Sequence, residues 1–136
     1  MNLFNKILNI FSKANMASVL EEDSERIIKD IEIEDRNIER YQIQSGKLYN
    51  LWHSKNYVAT ESYGLKIIGH GNWLPGVFET MAKLYRRQKR YNSEIDILEA
   101  GIQAQKEHSN SGVAIRDFQL RIERIHELQP NSNSID

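Results

Sequence analysis

Apolar residues recur along most of this chain at intervals of three and four positions, which is the period of an α-helix. No stretch combines alternating apolar and polar residues with turn residues, as β-strands do. The pattern therefore predicts an all-α protein. Its helical segments are a long first helix carrying Ile27, Ile28, Ile31, Ile38, Tyr41 and Tyr49, then about 56–68, about 75–88, about 91–106, and a last helix carrying Ile115, Phe118, Ile122 and Ile125.

Capping residues and helix breakers predict where two of these helices begin. Asp23 or Ser24 is expected to cap the long first helix, and Ser109 or Ser111 is expected to cap the last one. Gly46 lies within the first helix, where we expect a kink or a close packing contact.

The expected organisation is an amphipathic N-terminal segment over 1–20, a single helical domain over 21–130 and a disordered tail over 131–136. The N-terminal segment carries a stripe of apolar residues at helical spacing, namely Leu3, Phe4, Ile7, Leu8 and Phe11. This stripe has three alternative uses. It docks on the domain and caps an apolar end, it lies in a membrane interface, or it binds another chain.

Charge is unevenly distributed, although the 136 residues carry a formal net charge of only −1. Residues 21–40 hold nine acidic and four basic side chains, whereas residues 41–90 hold eight basic and two acidic ones. Such a division is either compensated within the fold or steers a charged partner. The densest basic stretch is RRQKR, residues 86–90, which is either a grip for phosphates or the polar turn between two helices.

A period of 34 residues runs through the middle of the chain, where Tyr57 and Tyr91 are separated by that number. The same offset relates Leu48 to Ala82, Leu51 to Tyr85, Lys55 to Lys89, and Ile68 to Ile102. Spacing of this kind indicates a helical hairpin that occurs more than once.

The segment from residue 75 to 105 resembles the tetratricopeptide repeat (TPR), a family of helical hairpins that stack on one another. Two small residues, Ala82 and Gly101, fall where the family's helices approach closely. The other matching positions are Phe78, Met81, Tyr85, Tyr91, Ile95, Leu98 and Ile102. Glu94 departs from the family's small alanine, and Lys106 stands in place of its usual proline. The match is weaker over 41–74 and absent over 1–40.

This resemblance implies a small TPR-like α-solenoid of helical hairpins with N- and C-terminal capping helices, and a generic helical bundle is the alternative. It also implies an inner groove lined by the first helix of each unit. The partner-binding residues would be Gln42, Tyr49, Trp52, His53, Glu79, Lys83, Arg86 and Arg87. Their aromatic and basic character suits a protein or peptide with acidic groups. Alternatively, Tyr49 and Trp52 belong to the core.

We therefore expect a non-catalytic protein–protein interaction module, a small adaptor or regulator that binds a protein segment in the groove. One alternative is a protein that binds the nucleic-acid backbone through Lys83, Arg86, Arg87, Lys89 and Arg90. Another is a homo-oligomeric helical scaffold. A membrane is not an expected partner, because no apolar run approaches the length of a membrane span.

Catalytic and metal-binding patterns are missing from the sequence. There is no cysteine, which excludes disulfides, zinc–thiolate sites and a thiol nucleophile. The four histidines, His53, His70, His108 and His126, lack the spacing of a ligand set. We accordingly expect no enzymatic activity, no metal and no cofactor, and a cytoplasmic location.

Overall fold

The computed structural model describes residues 21–110 and 112–129. The expectations for the segment 1–20, for a cap at Ser111 and for the tail 131–136 lie outside the described residues. Within them the chain forms helices joined by short turns, with no strand, so the expected all-α class is confirmed. The helices are α1 (Glu21–His53), α2 (Tyr57–Gly69), α3 (Pro75–Arg87), α4 (Tyr91–Glu107) and α5 (Gly112–Leu128).

One local expectation is wrong, and two others are narrowed to one of their alternatives. Asp23 and Ser24 lie inside α1, which is already helical at Glu21, so neither caps it. Ser109 has a φ of 54° and belongs to the turn that ends α4, and the alternative cap, Ser111, lies outside the described residues. A Cβ placed on Gly46 would meet no heavy atom within 4 Å, so this glycine does not mark a close contact, and the kink is the alternative that stays a prediction.

The four turns between the helices are closed in the same way. In each turn one residue has a positive φ, and the N–H of the next residue donates to the carbonyl five positions earlier. This arrangement is the Schellman closure of a helix C-terminus. The positive-φ residues are Lys55, Gly71, Lys89 and Ser109, and the donors are Asn56, Asn72, Arg90 and Asn110.

Two of these turns are separated by the 34-residue period. The Asn56 N–H donates to the Leu51 carbonyl at 3.0 Å, and the Arg90 N–H donates to the Tyr85 carbonyl at 2.8 Å. The period is therefore present in the backbone of the α1–α2 and α3–α4 turns. The residues that precede α3 by the same offset are 41–53, the last part of α1.

The chain divides into two compact units, Met1–Arg40 and Tyr41–Asp136. In the first unit no residue from 24 to 40 is fully buried. In the second unit the helices α2 to α5 pack in sequence, each against the next. The apolar core of this unit consists of Leu48, Ile67, Val77, Phe78, Met81, Ala82, Leu84, Tyr85, Ile97, Leu98, Phe118 and Ile125.

Gly101 allows α3, α4 and α5 to approach one another closely. A Cβ at this position would lie 3.0 Å from the side chains of both Phe78 and Phe118. Any larger residue would push these two aromatic rings away, so the expectation of close helix packing at Gly101 is confirmed.

The loop between α2 and α3 is fixed by two buried amides. Asn72 donates through Nδ2 to the Tyr41 carbonyl at 3.1 Å and to Oε1 of Gln44 at 3.0 Å. Gln105 of α4 donates through Nε2 to the Trp73 carbonyl at 2.7 Å. Because these bonds anchor the loop on both sides, they set the position at which α3 begins.

Candidate interaction site

Arg86, near the end of α3, is bound by a buried carboxylate of α4. Its Nε donates to Oε1 of Glu94 at 3.0 Å, and its Nη2 lies 2.9 Å from Oε2. Arg121 of α5 approaches the same carboxylate, with its Nη2 3.7 Å from Oε2. The Glu94 side chain is fully buried, whereas about a quarter of each arginine side chain is exposed. Two guanidinium groups from different helices thus share one carboxylate.

This cluster joins three helices. The Nη2 of Arg86 also donates to the backbone carbonyl of Arg121 at 3.1 Å. Burial, followed by the positive charge of Arg86, lowers the pKa of Arg121, and the attraction of Glu94 opposes that change. An arginine nevertheless stays charged in proteins, so the Arg121 guanidinium keeps its positive charge beside Glu94. Glu94 therefore links Arg86 and Arg121 through its carboxylate, which a small residue at this position could not do.

Arg90, which precedes α4, is bound to α2. Its two terminal nitrogens donate to the two carboxylate oxygens of Glu61, each at 2.9 Å. The hydrogen bond from Arg90 is the main reason that the pKa of Glu61 is lowered. The same guanidinium lies 4.7 Å from the ring centre of Tyr85. Burial, and then the hydrogen bond to Glu61, raise the pKa of Tyr85 to about 12.

The RRQKR segment is thus a polar turn in which two arginines, Arg86 and Arg90, bind carboxylates of the same chain. Lys83 is also paired, since its Nζ lies 3.3 Å from Oε1 of Glu79. Among the residues that the structure describes, Arg87 and Lys89 are the cations of this cluster with no carboxylate partner. A nucleic acid would therefore meet two of the five cations without breaking an ion pair.

Tyr57 connects the predicted site residues of α1 with those of α3. Its ring centre lies 5.5 Å from that of Trp52, and the Arg87 guanidinium lies 5.6 Å from the Tyr57 ring. Trp52 is partly buried and packs against the core. These three side chains form a surface that we call the aromatic edge.

The remaining predicted residues of α1 are exposed. The rings of Tyr49 and His53 stack one helical turn apart, with their centres 5.8 Å from each other. Tyr49 is half exposed, so it does not belong to the core. Gln42 is exposed on the same helix.

A cleft of about 350 Å³ lies between α3 and α5. Its apolar surface includes Phe118, which is buried, and Leu120, which is 53% exposed. Of the predicted site residues, Glu79 lies in its wall. The full lining consists of Pro75, Glu79, Ala114, Asp117, Phe118, Leu120 and Arg121. A second hollow, of about 450 Å³, is lined by Lys47, Asn50, Leu51, Ser54 and Tyr63.

Sequence reasoning missed the contribution of α5 to the cleft. The apolar stripe of this helix predicts a packing face, and Phe118 and Ile125 are indeed core residues. The sequence feature that could have indicated this contribution was Leu120, an apolar residue outside that stripe. Nothing in the sequence placed Arg121 beside Glu94, because the two residues lie on different helices.

The described residues contain no group of His, Cys, Asp or Glu side chains that could hold a metal ion. In the same part of the chain, no helix has the length and apolar character needed to cross a membrane.

No protein-family model, curated protein or solved structure matches this chain. The geometry of the second unit is accordingly the basis for a functional hypothesis.

Proposed function

We propose that this chain is a non-catalytic protein-interaction module, a small TPR-like α-solenoid that acts as a cytoplasmic adaptor or regulator. Two features of the second unit support a solenoid over a generic bundle. The α1–α2 and α3–α4 turns share their hydrogen bonds at an offset of 34 residues. The helices α2 to α5 also pack in sequence order, as they do in repeat proteins.

The cleft between α3 and α5 is the observation that carries this proposal. Its volume of about 350 Å³ falls within the usual range for binding clefts. Leu120 offers apolar surface that is only half covered within the chain. A protein segment would place an apolar side chain against Leu120 and Phe118, and its backbone would follow the rim.

Acidic groups on the bound segment would be met by Lys83, whose partner Glu79 lies in the wall of the cleft. The ion pair between Lys83 and Glu79 is exposed, with 41% and 50% of the two side chains accessible. Such surface pairs contribute about 0–1 kcal/mol, so a carboxylate of the partner can replace Glu79 at little cost. Arg86 is excluded from this role because it is bound to buried Glu94.

Selection of displayed peptides would test the proposal. The full chain is immobilised and exposed to a phage-displayed library of random short peptides, in parallel with the variants Leu120→Glu and Val113→Glu. Val113 is a matched control, because it is an exposed apolar residue of α5 that does not line the cleft. We expect the wild type and Val113→Glu to enrich the same apolar-containing peptides, and Leu120→Glu to lose them.

The choice of variant follows from the ion pairs. Arg86→Glu would place a second carboxylate against Glu94 and strongly destabilise the fold, so lost binding would not distinguish the groove from the fold. Leu120→Glu adds its charge at an exposed position, and thermal unfolding would verify its fold. Equal enrichment by Leu120→Glu and the wild type would exclude the cleft as the binding site.

A further inference from the structure

The outward side of α5, the last described helix of the stack, exposes large apolar side chains. Val113 is 68% exposed, Leu120 53% and Leu128 43%. A different side of the same helix carries Phe118 and Ile125, which are buried in the core. The helix is therefore apolar on two sides, and one of them stays open within the described chain. In stacked helical arrays, an open apolar end is where the next element packs.

The exposed side chains follow the spacing of a seam between two helices. From Val113 to Arg124 they are separated by four, three and four residues, which is the heptad spacing of a coiled coil. Leu128 continues the row one turn further along. At 1.5 Å per residue the row is about 24 Å long, so one partner helix of about four turns would cover it. We call this row the α5 face, and its members are Val113, Asp117, Leu120, Arg124 and Leu128.

Two charged side chains near the centre of the α5 face are available to a partner. Asp117 forms no ion pair with any residue that the structure describes. Arg124 is paired with Glu127 on the same helix, and the two side chains are 59% and 65% exposed. An exposed pair of this kind contributes little to stability, so a carboxylate from a partner can replace Glu127.

We propose that a second copy of this chain binds the α5 face, with the two α5 helices antiparallel about a two-fold axis beside Leu120. In this register Val113 lies opposite Leu128 of the second copy, and Asp117 lies opposite its Arg124. Symmetry repeats each of these contacts, and the two Leu120 side chains meet beside the axis. Apolar residues therefore match apolar residues, and each acid matches a base.

The charges disfavour other pairings of the same face. In a parallel pair, each Asp117 would lie beside the Asp117 of the other copy, and each Arg124 would lie beside Arg124. Like charges opposed in this way weaken association. Shifting the antiparallel helices by one turn, in either direction, would place Asp117 opposite a leucine and leave its charge without a partner.

A second copy also fits this side of α5 better than a strongly charged partner does. Its exposed charged side chains are three acids and two bases, so a nucleic acid or an anionic membrane would gain no net attraction. The same mixture of signs allows the helix to complement itself. The charged residues are Arg116, Asp117, Glu123, Arg124 and Glu127.

The contact is small, which sets the strength of association that we expect. A seam of about 24 Å with three apolar side chains from each copy falls at the low end of interface sizes, below about 1,200 Å² of buried surface. Interfaces of this size are typical of transient complexes. We therefore expect monomer and dimer to exchange, with a Kd between about 1 μM and 1 mM.

This inference does not rest on the proposed function, although the two share Asp117 and Leu120, which also line the cleft. Val113 belongs to the α5 face and lies outside the cleft. Val113→Glu should therefore weaken self-association and keep peptide binding, whereas Leu120→Glu should weaken both. Either proposal can thus fail while the other holds.

Charge reversal would test the dimer. Sedimentation equilibrium of the full chain, from about 10 μM to 1 mM, measures the Kd of the wild type, of Asp117→Arg, of Arg124→Asp and of the double variant. Each single variant opposes like charges at two symmetry-related positions, so its Kd should rise by about tenfold or more. The double variant restores opposite charges, and its Kd should return to within about threefold of the wild type.

Mixing the two single variants provides an independent test. In a mixed dimer both contacts between residues 117 and 124 again join an arginine to an aspartate. Equal amounts of the two variants should therefore associate more tightly than either does with itself. Asp96→Arg is the control, because Asp96 is exposed on α4 and lies outside the α5 face, and its Kd should equal that of the wild type. Thermal unfolding verifies that each variant is folded.

Three results would overturn the proposal. A wild type that stays monomeric up to about 1 mM would show that the α5 face does not bind a second copy. Single variants that associate as tightly as the wild type would assign the dimer to another surface. A double variant and a mixture that both fail to regain association would refute the antiparallel pairing of Asp117 with Arg124.

Discussion

At the scale of single residues, the fully buried carboxylate of Glu94 has the largest energetic consequence. Removing a charge from water costs several kcal/mol, and the cost is recovered only when partners with good geometry are present. Arg86 hydrogen-bonds Oε1 of Glu94, whereas Arg121 approaches Oε2 only to 3.7 Å and forms no hydrogen bond with it. Loss of the carboxylate would leave two like charges facing each other in a largely buried environment.

We predict that Glu94→Ala lowers the free energy of unfolding by about 3 kcal/mol, because two guanidinium groups lose their shared partner. Urea denaturation measures this change. Glu127→Ala is the control, since Glu127 forms an exposed pair with Arg124, and its loss should cost less than about 1 kcal/mol. Similar losses for the two variants would contradict the structural role of Glu94.

The hydroxyl of Tyr85 should make stability depend on pH in alkaline solution. Its pKa is raised from 10.0 to about 12 in the folded protein. The unfolded chain therefore releases this proton first, so stability is complete below pH 10 and declines between pH 10 and 12. Tyr85→Phe removes the ionisable group. We expect the variant to lose less stability than the wild type across this interval in denaturation experiments at stepped pH. Parallel declines would refute the assignment.

The sequence indicated some residue-level features of the candidate site and could not indicate others. Arg87 and Trp52 were predicted from their positions in the repeat, and both contact Tyr57. The pairing of Arg86 with Glu94 spans a turn, and the approach of Arg121 spans an additional helix. Such contacts depend on how helices pack, which local patterns do not determine.

At the scale of helices and turns, the two lysines with positive φ are a source of strain. The left-handed conformation costs an L-residue about 1–2 kcal/mol, and glycine adopts it freely. We predict that Lys55→Gly and Lys89→Gly each raise the free energy of unfolding by about 1 kcal/mol.

Lys47→Gly provides the control for these turn variants. Lys47 is an exposed residue inside α1, where glycine is expected to cost about 1 kcal/mol. The thermal unfolding temperature should therefore rise in Lys55→Gly and Lys89→Gly and fall in Lys47→Gly. A loss of stability in Lys89→Gly would mean that the lysine side chain stabilises the fold by more than its left-handed backbone conformation destabilises it.

Two helical glycines allow a matched test of close packing. A Cβ at Gly101 would lie 3.0 Å from two phenylalanine side chains, whereas one at Gly46 would meet nothing within 4 Å. Gly101→Val should therefore lower the free energy of unfolding by about 1–3 kcal/mol. Gly46→Val should leave it within about 0.5 kcal/mol, because valine and glycine have similar helix propensities. Denaturant titration distinguishes the two, and equal effects would exclude close packing at Gly101.

Helix types and approximate limits were predictable from sequence because apolar period and turn residues are local signals. The 34-residue spacing also anticipated that two turns share one geometry. The roles of Ser24 and Ser109 were not predictable, since a serine that precedes an apolar run fits a turn or a helix interior as well as a cap. Which residue adopts the left-handed conformation decides between these roles.

At the scale of the whole molecule, stability is concentrated in the second unit. Every fully buried apolar residue of the described chain lies between Leu48 and Ile125. We predict that a fragment of residues 41–136 folds alone and unfolds cooperatively, with a denaturant slope close to that of the full chain. Circular dichroism during urea titration measures both. A fragment without a cooperative transition would show that the first unit supports the second.

The cleft is a property of the assembled helices, and its position could not be predicted from any one of them. The repeat pattern assigned the groove to α1 and α3, while the walls of the cleft come from α3 and α5. The sequence predicted an interaction surface from aromatic and basic residues, yet several of the basic residues serve intramolecular ion pairs. The assignment of a cleft-bound partner therefore depends on packing and not on composition.

The shared carboxylate of Glu94 also has an evolutionary consequence. Replacing Glu94 leaves Arg86 and Arg121 as two unmatched positive charges, so substitutions at these three sites should be inherited together. Descendants with alanine at site 94 should carry uncharged residues at both arginine sites. Ancestral reconstruction across such lineages would reveal whether the acid or the two bases arose first.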